Sequence, residues 1–168
     1  MIGSSRTYAI GMAHFQLAGG WKSLLILCGG YLVLLGVGLG IFYYVDISSG
    51  SRTGISSAAV TLTLMLEALV LIVIGSMRVS TAIRTDLTSK MIESHRLMPV
   101  PSWRAVAGYM LGAGMHPLVF ALMNVVIAYV FAFATSTNLV NVTINQAALF
   151  SFAALMWVMA CLATFFAR

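Results

Sequence analysis

The chain has 168 residues, enough for one domain, of which 61% are hydrophobic and only 8% are charged. Nine Lys and Arg and four Asp and Glu residues are too few to cover the surface of a soluble domain of this size. The basic residues lie in short segments between apolar runs, so the net charge of +5 does not indicate nucleic-acid binding. The composition predicts an integral membrane protein in contact with lipid. The two cysteines lie within apolar runs and predict neither a disulfide framework nor a metal site.

Residues 1–23 precede the first long apolar run. Ile10, His14 and Leu17 share one helical face, which fits an amphipathic helix on the inner membrane surface. A disordered tail is the alternative. The run that follows is about twice as long as the apolar core of a signal peptide and has no cleavage site after it, so we expect a retained membrane helix.

Four apolar runs reach the roughly 20 residues that a membrane-spanning helix needs. These predicted spans cover residues 24–45, 57–77, 105–134 and 147–167. The third is long enough to tilt, or to bend at Pro117. If the four spans cross the membrane in alternating directions, all basic residues except Arg52 lie on one side of it, and that side should be cytoplasmic. The sequence therefore predicts an all-α membrane protein with four transmembrane helices and both termini in the cytoplasm.

A charged segment joins the second and third spans on the predicted cytoplasmic side. Its apolar residues recur at helical spacing from Ile83, and its charges form the i,i+4 pair Asp86–Lys90 and the i,i+3 pair Glu93–Arg96. Ser80 or Thr81 can cap a helix start, and the "MPVP" phrase ends it. We therefore expect a separate amphipathic helix over residues 81–98. It either rests on lipid headgroups or docks a cytoplasmic partner.

The stretch "IRTDLTSKMIESHRLMPVPSWRAVAGYMLG" resembles the segment between the second and third spans of ABC-2 type transporter permeases. The matching positions are Arg84-Thr85-Asp86, Met91-Ile92-Glu93-Ser94, Leu97-Met98-Pro99 and Gly108. In that family this helix couples to an ATP-binding subunit. The resemblance implies an ABC ATPase partner that binds ATP and magnesium, a homo- or heterodimer of permeases, and a prokaryotic inner membrane. The residues that it assigns to the ATPase contact are Arg84, Asp86, Leu87, Lys90, Met91, Glu93, Arg96 and Leu97.

The family usually has six spans, whereas four are predicted here, so we expect a fragment, a split half or a short member. This chain carries no Walker A loop, because "GWKS" at residues 20–23 lacks the glycine directly before the lysine. It also lacks a nucleophile–base set, which predicts no catalytic residues and no cofactor of its own. The sequence favours an exporter permease subunit. A small membrane scaffold or assembly protein, whose loop helix binds a partner or headgroups, is the alternative, and a membrane enzyme comes third.

Glu67 is the only acidic residue inside a predicted span. Counting from Arg78 and Arg104 as the inner ends of the second and third spans, Glu67 and His116 lie at equal depth, roughly 17 Å in. We therefore expect them to face each other. The pair is a structural polar contact, a protonatable relay or substrate contact, or a carboxyl kept neutral by burial and bonded to a backbone carbonyl.

Glycines and isolated polar residues predict where the spans touch. The GxxxG spacing, which permits close helix packing, occurs at Gly36 and Gly40 and again at Gly108 and Gly112. A polar side chain without a hydrogen-bond partner is costly inside the bilayer, so polar residues within apolar spans tend to bond to a neighbouring helix. The candidates for such bonds are Thr61, Ser76 and Asn124.

Overall fold

The computed structural model describes residues 4–49, 55–90, 102–134 and 137–167, and the secondary structure in these ranges is helical throughout. The α-helices are α1 (Ser4–Leu17), α2 (Gly20–Ser49), α3 (Ile55–Ala68), α4 (Gly75–Thr88), α5 (Ser102–Ala134) and α6 (Leu139–Phe166), and a π-helix, Leu69–Ile74, joins α3 to α4. Within these described ranges, four segments are long and apolar enough to cross a membrane. They are Gly20–Val45, Ala59–Thr88, Trp103–Phe133 and Leu139–Phe166.

Helix α3, the π-helix and α4 form one uninterrupted rod from Ile55 to Thr88. At 1.5 Å per residue this rod is about 50 Å long, and so is the 33-residue α5. Both exceed the roughly 30 Å hydrocarbon core of a bilayer. Arg84 and Arg104 lie at the same end of these two helices, where Asp86 contacts Tyr109, and we call this the basic end of the bundle.

The charged segment begins as a continuation of the second span. Helix α4 passes through Ser80 and Thr81 without a break, and the Thr81 hydroxyl donates to the Met77 carbonyl, 2.8 Å away, instead of capping a new helix. A hydroxyl that bonds the preceding turn is compatible with a continuing helix, so the separate start expected near residue 81 is not formed. The rod ends at Thr88, with Ser89 as its C-cap, and the chain then turns at Lys90, whose φ of 57° is left-handed. Residues 91–98, the rest of the predicted helix, lie outside the described ranges.

Helix α6 begins earlier than hydropathy predicts. The Asn138 side chain accepts a hydrogen bond of 3.0 Å from the Val140 amide and caps the helix at Leu139, a role that Asn fills well. The polar residues 141–146 thus belong to the first turns of α6 and not to a loop. By contrast, α5 covers 102–134, close to the predicted third span, and it continues through Pro117.

The core lies where α4, α5 and α6 meet. Its buried members are Leu71, Val79, Ile83, Tyr109, Ala113, Ala121, Ala153, Trp157 and Cys161. A second cluster joins α3, α5 and α6 away from the basic end, through Val60, Ala132 and Val142. These contacts set the relative levels of the helices.

Helix α2 is packed less tightly than the other three spans. Only 11% of its most apolar window is buried, against 33% for the second and third spans. Leu24 and Leu35 face the bundle, whereas Ile26 and Leu34 are exposed. Most of α2 therefore presents apolar side chains outward, as a helix in contact with lipid does.

Residues 4–17 form the helix α1, which packs beside the first half of α5. Gly11 lies against Gly108 and Gly112, and the Phe15 ring lies 5.6 Å from that of His116. Successive residues of α1 thus meet successive turns of α5, so the two helices run in the same direction.

Candidate functional site

A buried polar contact ties α1, α4 and α5 together at the basic end. The Oδ2 atom of Asp86 lies 3.2 Å from Nε2 of His14 and accepts a hydrogen bond of 2.5 Å from the Tyr109 hydroxyl. The His14 and Tyr109 rings lie 4.8 Å apart. All three side chains are at most 8% exposed. We call this set the Asp86 junction, and it links residues 72 positions apart in sequence.

The Asp86 junction corrects one of the predicted partner contacts. Asp86 is 1% exposed and offers no surface to a partner, whereas Leu87 packs against the core cluster and is only partly buried. Arg84 and Lys90 are exposed and remain available, together with the exposed Thr88. Met91, Glu93, Arg96 and Leu97 lie outside the described residues.

The sequence placed His14 on an apolar helical face without a role for it. Its partner, Asp86, appeared from spacing alone to face solvent and Lys90. Only the position of α1, which the sequence left open, brings the imidazole to the carboxylate. No local signal could have found this pairing, because it joins two separate elements.

Gly108 and Gly112 lie at a close helix contact, and the opposing helix is α1. A Cβ atom at position 112 would lie 2.5 Å from the Gly11 carbonyl oxygen and 2.8 Å from its Cα, closer than real side chains approach a backbone. Gly36 and Gly40 differ, because a Cβ on either would meet nothing within 4 Å among the described residues. Gly36 and Gly40 therefore do not form the predicted close helix contact with any of the described residues.

The predicted contact between Glu67 and His116 is not made. Both side chains are buried, but His116 lies beside Phe15 and within electrostatic range of Arg78. It is therefore level with the start of the charged part of α4. The depth estimate failed because it took Arg78 and Arg104 to lie at one level, whereas His116, twelve residues after Arg104, is itself near Arg78.

Glu67 faces α6 instead. The Gln146 side chain lies beside the Glu67 carboxyl and interacts with it. Even so, no carboxyl oxygen of Glu67 and no amide atom of Gln146 completes a hydrogen bond with a described residue. Glu67 is 0% and Gln146 5% exposed. Hydropathy had placed Gln146 in a loop, and its position near Glu67 follows from the earlier start of α6.

A second polar pair lies next to the first. The Asn124 amide donates to the Tyr31 hydroxyl at 2.7 Å, and that hydroxyl lies 3.0 Å from the Asn124 carbonyl oxygen. Asn124 thus forms the cross-helix bond that its position predicted, whereas the buried Ser76 hydroxyl has no partner among the described residues. Tyr31 is also within electrostatic range of Glu67.

These two pairs form one group, to which each span contributes a side chain. We call it the mid-span polar cluster: Tyr31 of α2, Glu67 of α3, Asn124 of α5 and Gln146 of α6. Val60, Ala132 and Val142 contact one another on the same three helices. From that contact, Glu67, Asn124 and Gln146 lie about two, two and one helical turns, respectively, toward the basic end. The cluster is therefore a layer across the bundle.

The π-helix lies directly after Glu67 and is held by Trp157. The indole Nε1 donates to the Leu71 carbonyl at 2.7 Å, and the Gly75 amide bonds back to Val70, five residues earlier. A Cβ on Gly75 or Gly114 would overlap the indole. Single π-turns inside α-helices are frequent at functional sites, and this one separates the mid-span polar cluster from α4.

The described ranges contain no group of three or more His, Cys, Asp and Glu residues that could hold a metal ion. The chain matches no protein-family model, no curated protein and no solved structure. Function is therefore argued from the arrangement of its residues.

Proposed function

We propose that this chain is a membrane permease subunit, or the N-terminal half of one, of an ATP-driven ABC-2 type exporter. One observation carries the proposal. The charged segment that resembles the coupling region of such permeases is, up to Thr88, the rigid end of the second span. A force applied at the exposed Arg84 therefore acts on the same rod that carries Glu67.

The Asp86 junction supports this proposal because it spreads such a movement to neighbouring helices. The buried Asp86 lies two residues after the exposed Arg84, and its carboxylate contacts Tyr109 of α5 and His14 of α1. Hydrogen bonds to a charged group are among the stronger ones in proteins. Displacing α4 would thus move α5 and α1 with it.

The proposal includes an orientation and a setting. The basic end lies in the cytoplasm, as the positive-inside rule requires, and places both termini there. The membrane is the prokaryotic plasma membrane, the partner is a separate ABC ATPase that binds ATP and magnesium, and a second permease subunit completes the translocation path. The exposed outer face of α2 offers area for that subunit or for lipid.

The test is co-purification from the source cells in mild detergent, with the partners identified by mass spectrometry. We compare the native chain with Arg84→Glu, which reverses an exposed charge without touching the buried Asp86. The matched control is Lys22→Glu, which reverses an exposed charge on α2. We expect an ATP-binding subunit with the native chain and with Lys22→Glu, and at least tenfold less of it with Arg84→Glu.

Equal recovery of the ATPase with both variants would place the contact elsewhere and remove α4 as the coupling element. Absence of any ATPase from all three samples would contradict the exporter proposal. In that case the alternative, a small membrane scaffold, becomes the better account. Its exposed residues Arg84 and Lys90 would bind headgroups or a partner.

A further inference from the structure

The mid-span polar cluster contains one acid, Glu67, and no described basic side chain lies beside it. Both carboxyl oxygens of Glu67 and both amide atoms of Gln146 are buried and lack hydrogen-bond partners among the described residues. Buried polar atoms in native proteins nearly always have a partner. Two facing side chains that share this deficit indicate a site for something small.

The groups around Glu67 can be named helix by helix. On α3 the Thr63 hydroxyl, one turn away, donates to the Val60 carbonyl at 2.8 Å. Helix α2 offers Tyr31, which is bonded to Asn124 of α5, and α6 offers the uncharged Gln146. The nearest histidine of α5, His116, lies instead beside Phe15 and Arg78.

No cationic side chain in the described ranges therefore lies against the Glu67 carboxyl. An ionised carboxylate buried in a low-dielectric interior without a partner is strongly destabilised, and more so at membrane depth. The carboxyl must take up a positive ligand or be neutral. The smallest ligand that satisfies the buried site is a proton.

Gln146 has the chemistry to hold a protonated carboxyl. A carboxylic acid presents one O–H donor and one carbonyl acceptor, and a primary amide presents the complementary carbonyl acceptor and N–H donor. The two groups can pair through two hydrogen bonds once the side chains rotate toward each other. A leucine at position 146 would offer neither the donor nor the acceptor.

We propose that Glu67 and Gln146 form a proton-binding site in the membrane interior, in which the protonated Glu67 carboxyl pairs with the Gln146 amide. Tyr31 and Asn124 are the adjacent hydrogen-bonding pair through which the site is coupled to α2 and α5. The site is complete within this chain and requires no ATPase, so it stands or falls independently of the exporter proposal.

The test is labelling with dicyclohexylcarbodiimide, an apolar reagent that reacts with protonated carboxyls. The acid proton passes to a carbodiimide nitrogen, a carboxyl oxygen bonds to the central carbon, and the adduct rearranges to a stable N-acylurea with no leaving group. Mass spectrometry of the Glu67 peptide measures the yield. In liposomes we expect modification of Glu67 at neutral pH and at least a tenfold lower yield at strongly alkaline pH.

Two variants of α6 test the pair. The Gln146 amide can pair with either form of Glu67, but its N–H donor stabilises the carboxylate more than the neutral acid, because hydrogen bonds to a charged group are the stronger ones. In Gln146→Leu labelling should therefore persist to higher pH than in the native chain. Asn145→Leu changes an adjacent but exposed residue and should leave the pH profile unchanged. Identical profiles for all three chains would remove Gln146 from the site and overturn the proposal.

Two further measurements keep the result decisive. Labelling in sodium chloride and in choline chloride should be equal, and protection by sodium alone would overturn the proton in favour of an alkali ion. The infrared C=O band of a protonated carboxylic acid should be present in the native chain and absent from Glu67→Gln. Lack of both the adduct and the band, in protein whose buried Cys161 stays unreactive to maleimide, would overturn the site.

Discussion

Replacing Gly112 by alanine should detach α1 from the bundle. The added Cβ would lie 2.5 Å from the Gly11 carbonyl oxygen, and because this neighbour is backbone, α1 as a whole must move. Overpacking of this kind costs about 1–3 kcal/mol. Since 1.4 kcal/mol is a factor of ten, local opening of α1 should become about five- to 150-fold more frequent.

Hydrogen exchange followed by mass spectrometry measures this opening directly. Peptides from Ser4–Leu17 should exchange faster in Gly112→Ala by that factor, while peptides from α6 keep their native rates. Gly36→Ala is the control, because a Cβ at position 36 meets nothing within 4 Å and alanine has the better helix propensity. Unchanged exchange of α1 in Gly112→Ala, or equal acceleration in the control, would refute the glycine contact.

Two further predictions concern buried hydrogen bonds, both measured as thermal stability in detergent. Trp157→Phe leaves the Leu71 carbonyl without its 2.7 Å donor and should lower the free energy of unfolding by about 1–3 kcal/mol, whereas Trp103→Phe at an exposed site should change it by less than about 0.5 kcal/mol. Tyr31→Phe deprives the buried Asn124 of both its bonds and should cost about 1–3 kcal/mol. Adding Asn124→Leu should recover part of that loss, and strictly additive costs would exclude the bonded pair.

Much of the fold could be predicted from the sequence, because lipid imposes a simple length and hydropathy rule. The third span, 105–134, was found within three residues of α5 at its start and at the same end. Hydropathy was less accurate where polar residues continue a helix. Ser80 and Thr81 are accommodated within α4, and Asn138 starts α6 well before its apolar part.

The candidate site was harder to predict, because its contacts depend on how far each helix protrudes. Glu67 was correctly identified as a buried acid, but its predicted partner was wrong, since Arg78 and Arg104 were taken to lie at the same level and His116 lies near Arg78 instead. Gln146 was assigned to the loop between the third and fourth spans, although it lies in α6, so its contact with Glu67 was not predicted. The junction of His14 with Asp86 spans 72 positions, and no periodicity within either helix predicts a contact between them.

The place of α1 in the bundle also constrains the order in which the protein is made. Its acidic partner, Asp86, leaves the ribosome 72 residues after His14, and the glycine surface on α5 follows later still. At about 5–20 residues per second, α1 must wait at least roughly 4–14 seconds before its docking surface exists. Helix α1 is thus synthesised well before the surfaces that it packs against, and it can dock only after the glycines of α5 have been made.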